Sequence, residues 1–135
     1  MSSLLRITFS DLEDIHALNQ QIFKNQITYE KDYLKERCLN GDGFIVKVYD
    51  TTVGYLLYDG DVVMSIGVLS TYRRYGYARA MMQAVLRLDQ ITQLHVMTTN
   101  CGAIRLYRSL GFYVDRIEIG YYNSLNGEDA YLMKK

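Results

Sequence analysis

Hydrophobic and polar positions recur along this chain with two different periods. Leu12, Ile15, Leu18 and Ile22 fall at three- and four-residue spacing, as one face of a helix requires. Phe44 to Tyr49, Val53 to Tyr58 and Val62 to Leu69 are instead β-rich runs. Asp50-Thr51-Thr52 and Asp59-Gly60-Asp61 break them as tight turns, so they predict a three-stranded antiparallel meander. Ala78, Met81, Met82, Val85 and Leu86 mark the inner stripe of a further helix starting near Tyr77. Gln93 to Met97 reads as a strand, Asn100 to Leu110 as a helix that Gly111 ends, and Phe112 to Ile119 and Asp129 to Met133 as closing strands. Before the meander, Leu4 to Thr8 predicts a short strand, and Ser10 and Glu13 stand at capping-box spacing. Thr28 is placed to cap a second helix to about Leu39, stopped by Asn40-Gly41-Asp42-Gly43. The order β-α-α-β-β-β-α-β-α-β-β predicts an α/β (α+β) architecture, one mixed sheet with helices on both faces.

Length and charge narrow this picture. With 135 residues and no linker, repeat or low-complexity segment, the expectation is a single domain over 1–135. Fifteen basic and fifteen acidic residues cancel, so bulk charge offers no case for nucleic acid or membrane as a partner. Any polyanion must be recognised locally. Cys38 and Cys101 lie far apart without metal-ligand spacing, which predicts free thiols in a reducing compartment and no metal. The N-terminus lacks a long apolar segment and no run reaches transmembrane length, so the expected location is cytoplasmic.

The local anion site is the stretch after the Val62–Leu69 run. It breaks into a loop with two arginines and a glycine, Arg73-Arg74-Tyr75-Gly76-Tyr77-Ala78, just where the next helix begins. Loop N–H groups and the positive end of a helix dipole suit a pyrophosphate, the arginines add charge, and Gly76 lets the backbone come close. These six residues resemble the acetyl-CoA-binding motif of the GCN5-related N-acetyltransferase superfamily, Gln/Arg-x-x-Gly-x-Gly/Ala. The segment from Asn100 through Tyr107 to Phe112 resembles its next block, Asn-x-x-Ala-x-x-Leu/Phe-Tyr-x-x-x-Gly-Phe. Tyr121-Tyr122, Gly127-Glu128-Asp129-Ala130 and the Leu18–Phe23 segment are similar to a narrower group, the protein N-terminal (N-alpha) acetyltransferases. The resemblance covers about residues 5 to 133.

It implies a sheet splayed between strands 4 and 5, with acetyl-CoA in the gap. Ile66 and Val68 would line the pantetheine, with the Val68 N–H as oxyanion donor, and Gly67 would mark the bulge that opens the gap. Arg73, Arg74, Tyr75, Gly76, Tyr77 and Ala78 would hold the diphosphate. Asn100, an apt helix N-cap, would also bond the pantetheine. Tyr107 would lie by the thioester sulfur as general acid, and His95, on its strand, matches the position of the group's base. The acceptor would enter between the Phe23–Tyr29 loop and the Tyr121–Gly127 hairpin, against Phe23, Met64, Tyr121 and Tyr122.

The implied reaction is transfer of acetyl from acetyl-CoA to a protein or peptide N-terminus. The chain departs from some members in two places: Val62 stands where several carry a catalytic tyrosine, and Gln20, Gln21 and Phe23 occupy a region where some carry a glutamate. Those departures keep open a superfamily enzyme acting on lysine or a small amine, and a non-catalytic CoA-binding subunit. An auxiliary subunit is compatible with any of these.

Overall fold

Side-chain alternation along the strands decides which helices cover which face of the sheet. The structure, a computed structural model, describes residues 1–23, 29–121 and 128–135. Its elements are β1 (Ser2–Arg6), α1 (Leu12–Ile22), α2 (Lys31–Asn40), β2 (Gly43–Val48), β3 (Thr51–Asp59), β4 (Val62–Val68), α3 (Tyr77–Leu86), β5 (Gln93–Met97), α4 (Cys101–Ser109), β6 (Tyr113–Glu118) and β7 (Ala130–Lys134). Their order is the predicted one. One sheet holds the strands in the order β1-β2-β3-β4-β5-β7-β6. Its neighbours are antiparallel except β4 and β5.

Tyr55 and Leu57 of β3 turn to one face, where Leu12, Ile15 and Leu18 of α1 and Leu34 of α2 bury against them. Leu56, one residue out of phase, turns to the other face. There it joins Val63, Leu94 and Val96 beneath Met81, Met82 and Val85 of α3 and Tyr107 of α4. Burying one such large side chain stabilises the fold by about 1.5–3 kcal/mol, so both faces contribute.

The splay is present. β4 and β5 pair only at Val62 with Gln93 and Val63 with Leu94, and beyond that point the strands part. The bulge is not at Gly67, however. Leu57 faces Ser65 while Tyr58 faces Val63, which leaves Met64 as the extra residue. Gly67 keeps regular register opposite Tyr55. Its missing side chain serves packing instead, since a Cβ there would meet Ile22 Cδ1 at 3.0 Å and Phe23 Cε2 at 3.1 Å.

The N-terminal cap also moves. Thr8, not Ser10, opens the helical turn before α1, and the Asp11 carboxylate accepts the Thr8 backbone N–H at 2.8 Å. β1 therefore ends at Arg6, short of the expected Thr8. Glu13 is left to pair with Lys31 at the start of α2. Gly41 ends α2 as expected, in the left-handed conformation at φ 69°. The Thr28 cap lies outside the described residues.

Candidate active site

The antiparallel ladder leaves main-chain groups facing the gap. The Leu69 N–H donates to the Val53 carbonyl at 2.9 Å, so these two residues bond across β3 and β4. Bonded and non-bonded pairs alternate. Val68 and Ile66, opposite Gly54 and Leu56, therefore turn their N–H and C=O groups away from β3, toward the space that β5 has left. The Val68 carbonyl accepts from Arg73 Nε at 3.1 Å, which ties the loop to the strand end. The Val68 N–H and both main-chain groups of Ile66 have no ladder partner among the described residues.

The loop that follows leads into α3. Gly76 is the N-cap at φ 79°, and no side chain caps the first turn. The first intrahelical bond is Ala80 N–H to the Gly76 carbonyl at 3.0 Å. The N–H groups of Tyr77, Ala78 and Arg79 thus remain for an outside acceptor. A Cβ on Gly76 would meet nothing within 4 Å, so it would project into open space rather than into protein. Arg74 is itself left-handed at φ 71°, a conformation that costs a non-glycine residue on the order of 1 kcal/mol and that functional loops tend to hold. Tyr75 stacks on Tyr77 with ring centroids 5.8 Å apart. A cleft of about 520 Å³ opens here, lined among others by Ile66, Val68, Arg73, Arg74, Gly76 and Ala78 on one side. Asn100, Gly102, Ala103 and Tyr107 form the other side. Asn100 caps α4, its Oδ1 accepting the Ala103 N–H at 3.2 Å.

A second cavity of about 540 Å³ adjoins the first and shares Ile22, Phe23, Ile66, Arg73, Asn100 and Tyr107 with it. Its other walls include Tyr29, Met64, Ser65, His95 and Tyr121. His95 alternates with the buried Leu94 and Val96 along β5, so it faces the α1 side of the sheet. Tyr107 comes from α4 on the opposite side. The opening between β4 and β5 lets these two side chains from opposite faces border one cavity.

The His95 ring stacks on Tyr121, and Glu118 Oε1 sits 3.3 Å from its Nε2, out of line for a good hydrogen bond. The imidazole and Arg116 hold the Glu118 carboxyl below its ordinary value. The Tyr107 ring packs edge-on against Phe112, and burial pushes its hydroxyl up to about 12.

The structure therefore brings together Phe23, Met64, Ile66, Val68, Arg73, Arg74, Gly76, Tyr77, Ala78, His95, Asn100, Tyr107 and Tyr121 as walls of the two cavities. Tyr75 lies in the same loop, and Tyr122 lies outside the described residues. Sequence reasoning missed the part played by Tyr29. Its hydroxyl donates to the Met64 carbonyl at 2.9 Å, which fixes the bulge. It also missed Glu118 and Ser65, since neither carries a motif.

Residues 11–112 match the model of the acetyltransferase (GNAT) family. An N-alpha-acetyltransferase of Saccharolobus solfataricus is 31% identical, with 98% of this chain and 92% of that protein covered. One of Sulfurisphaera tokodaii is 40% identical over 77 residues, which are 53% of this chain and 45% of that relative's length. Among solved structures, Arabidopsis thaliana Naa50 in complex with the bisubstrate analogue CoA-Ac-MVNAL aligns with a TM-score of 0.88 at 25% identity, covering 99% of this chain and 97% of its own.

Proposed function

Starting from the acetyltransferase (GNAT) family, to which this chain belongs, we propose that it transfers acetyl from acetyl-CoA to the α-amine of a protein or peptide N-terminus. The two archaeal relatives similar to it bear the name N-alpha-acetyltransferase. The observation that carries the reading is the junction of two cavities at the splay, with Tyr107 and His95 reaching it from opposite faces of the sheet.

Acetyl-CoA suits the first cleft. The uncapped N-terminus of α3, Arg73 and Arg74 meet the needs of a diphosphate, and the open space over Gly76 leaves room for it. Ile66 and Val68 present main-chain groups that can bond an amide-bearing arm as a further strand would. Asn100, half spent on its cap, has its Nδ2 donors left for the same arm. Acetyl-CoA supplies an activated thioester, and the Val68 N–H is the donor for its carbonyl oxygen.

The acceptor enters the second cavity, between Phe23, Met64 and Tyr121. A peptide α-amine has a pKa of about 7.7–8.0, so roughly one in seven is already neutral at pH 7, against about one in a few thousand for a lysine side chain near 10.4. His95 is the base for the remaining amines, directly or through an ordered water. Tyr107 serves the leaving sulfur. With its hydroxyl near 12 and a thiol near 8.5, full proton transfer runs uphill. Tyr107 therefore stabilises the departing thiolate by donating a hydrogen bond, a lesser role than the general acid expected from the resemblance.

We place this work in the cytoplasm, in keeping with the free Cys38 and Cys101. Among the described residues no helix is long and apolar enough to cross a membrane.

Mass spectrometry of a lysine-containing peptide incubated with the chain and acetyl-CoA tests the reading. The acetyl group is expected on the α-amine. Label mainly on lysine with the α-amine free overturns it.

A further inference from the structure

A directed chain of hydrogen bonds runs from the end of the α1–α2 connection to the wall of the acceptor cavity. The Tyr29 N–H donates to Asn19 Oδ1 at 3.0 Å, which fixes the orientation of that fully buried amide. Asn19 Nδ2 then donates to the Tyr55 oxygen at 3.0 Å. Tyr55 is also fully buried, and the Ser65 Oγ lies 2.8 Å from its hydroxyl. Among the described residues the Tyr55 proton has no other acceptor. A buried donor left unmet costs about 1–3 kcal/mol, so Tyr55 donates to Ser65. Every direction in the chain is then set. Ser65 receives, and its own proton is the one that remains to be given. Ser65 is half-buried, and the space it borders is the acceptor cavity.

A preset donor at that wall selects its partner. The attacking amine cannot be the partner, because its lone pair must reach the thioester. The nearest other acceptor on any peptide N-terminus is the carbonyl oxygen of its first residue, two bonds beyond the amine nitrogen's own carbon. A lysine side chain has only methylenes at that distance. We propose that Ser65 is a specificity-determining residue that donates to the first carbonyl of the acceptor peptide, and that Tyr55 is the positioning residue that aims it. The proposal rests on the α-amine reading above and says how that amine is told from others.

The test compares two acceptors with the full chain: a short peptide, and the same peptide with its first amide replaced by a trans-alkene isostere, which keeps the shape and loses the oxygen. Ser65→Ala is expected to lower kcat/KM for the peptide about tenfold, mainly through KM, and to change it less than twofold for the isostere. Tyr55→Phe, which keeps the ring, is expected to show the same pattern in smaller measure. Ser65→Thr, which keeps the hydroxyl, is expected to retain most of the peptide rate. Equal losses on both acceptors, or none on either, overturn the role of Ser65 while wild-type α-acetylation leaves the function standing. A wild-type chain that acetylates neither α-amine overturns both.

Discussion

The imidazole of His95 lies flat against the ring of Tyr121, with centroids 4.1 Å apart and planes inclined by 9°. Glu118 approaches the imidazole at Nε2. A ring held by a stack on its face and a carboxylate near its edge has little freedom to turn, so its free nitrogen is aimed before the acceptor arrives.

His95→Ala is therefore expected to lower kcat by about 10²–10⁴-fold, the usual contribution of a general base. Acetyl-CoA affinity should stay within about twofold, because the diphosphate loop lies elsewhere. The loss should grow as pH falls below about 7.7–8.0, where fewer α-amines are neutral without help. Steady-state rates from pH 6 to 9 with calorimetry of acetyl-CoA binding check this. An unchanged rate would leave the amine to lose its proton to bulk water.

How much of this could be read along the chain depends on the range of the interaction. Periodicity is local, and it gave β5 at its observed bounds and α4 within a residue at each end. The loop at Gly76 was legible because its glycine, arginines and helix start are contiguous. The cap was misplaced because two polar pairs at equal spacing, Thr8 with Asp11 and Ser10 with Glu13, compete two residues apart, and only the first also satisfies the Thr8 N–H. The bulge was misplaced because Met64 carries no compositional mark. Its position is a matter of register between β3 and β4, whereas the glycine that drew attention is small for the sake of Ile22 and Phe23. The Tyr29–Asn19–Tyr55–Ser65 chain links residues far apart in sequence, so no window of the chain contains it.

Gly76 separates backbone strain from ligand exclusion. Gly76→Ala puts a methyl into space that the protein leaves open, at a left-handed φ of 79°. It should cost about 1 kcal/mol of stability through the backbone. Gly76→Asp adds the same strain and a negative charge beside the diphosphate. Its acetyl-CoA affinity should fall by about a hundredfold or more relative to Gly76→Ala, through repulsion and lost room. Calorimetry on both folded variants measures the difference. Equal affinities would move the diphosphate away from this loop.

Tyr107 is the sharper test of the chemistry, because its two roles predict different pH behaviour. Burial raises its hydroxyl to about 12, so it stays protonated from neutral pH to well above 9. A hydrogen-bond donor of that kind gives a kcat with no alkaline fall of its own between pH 7 and 9.5. A matched general acid would lose its proton within that range and pull kcat down with it. Tyr107→Phe removes only the oxygen and keeps the edge-on packing with Phe112, so the fold should persist. We expect kcat to fall by about 10–100-fold at every pH in the range, since a charge-assisted hydrogen bond contributes about 1.5–3 kcal/mol. An alkaline limb present in the wild type and absent from Tyr107→Phe would restore the general acid. A wild-type rate in the variant would return Tyr107 to the core alone.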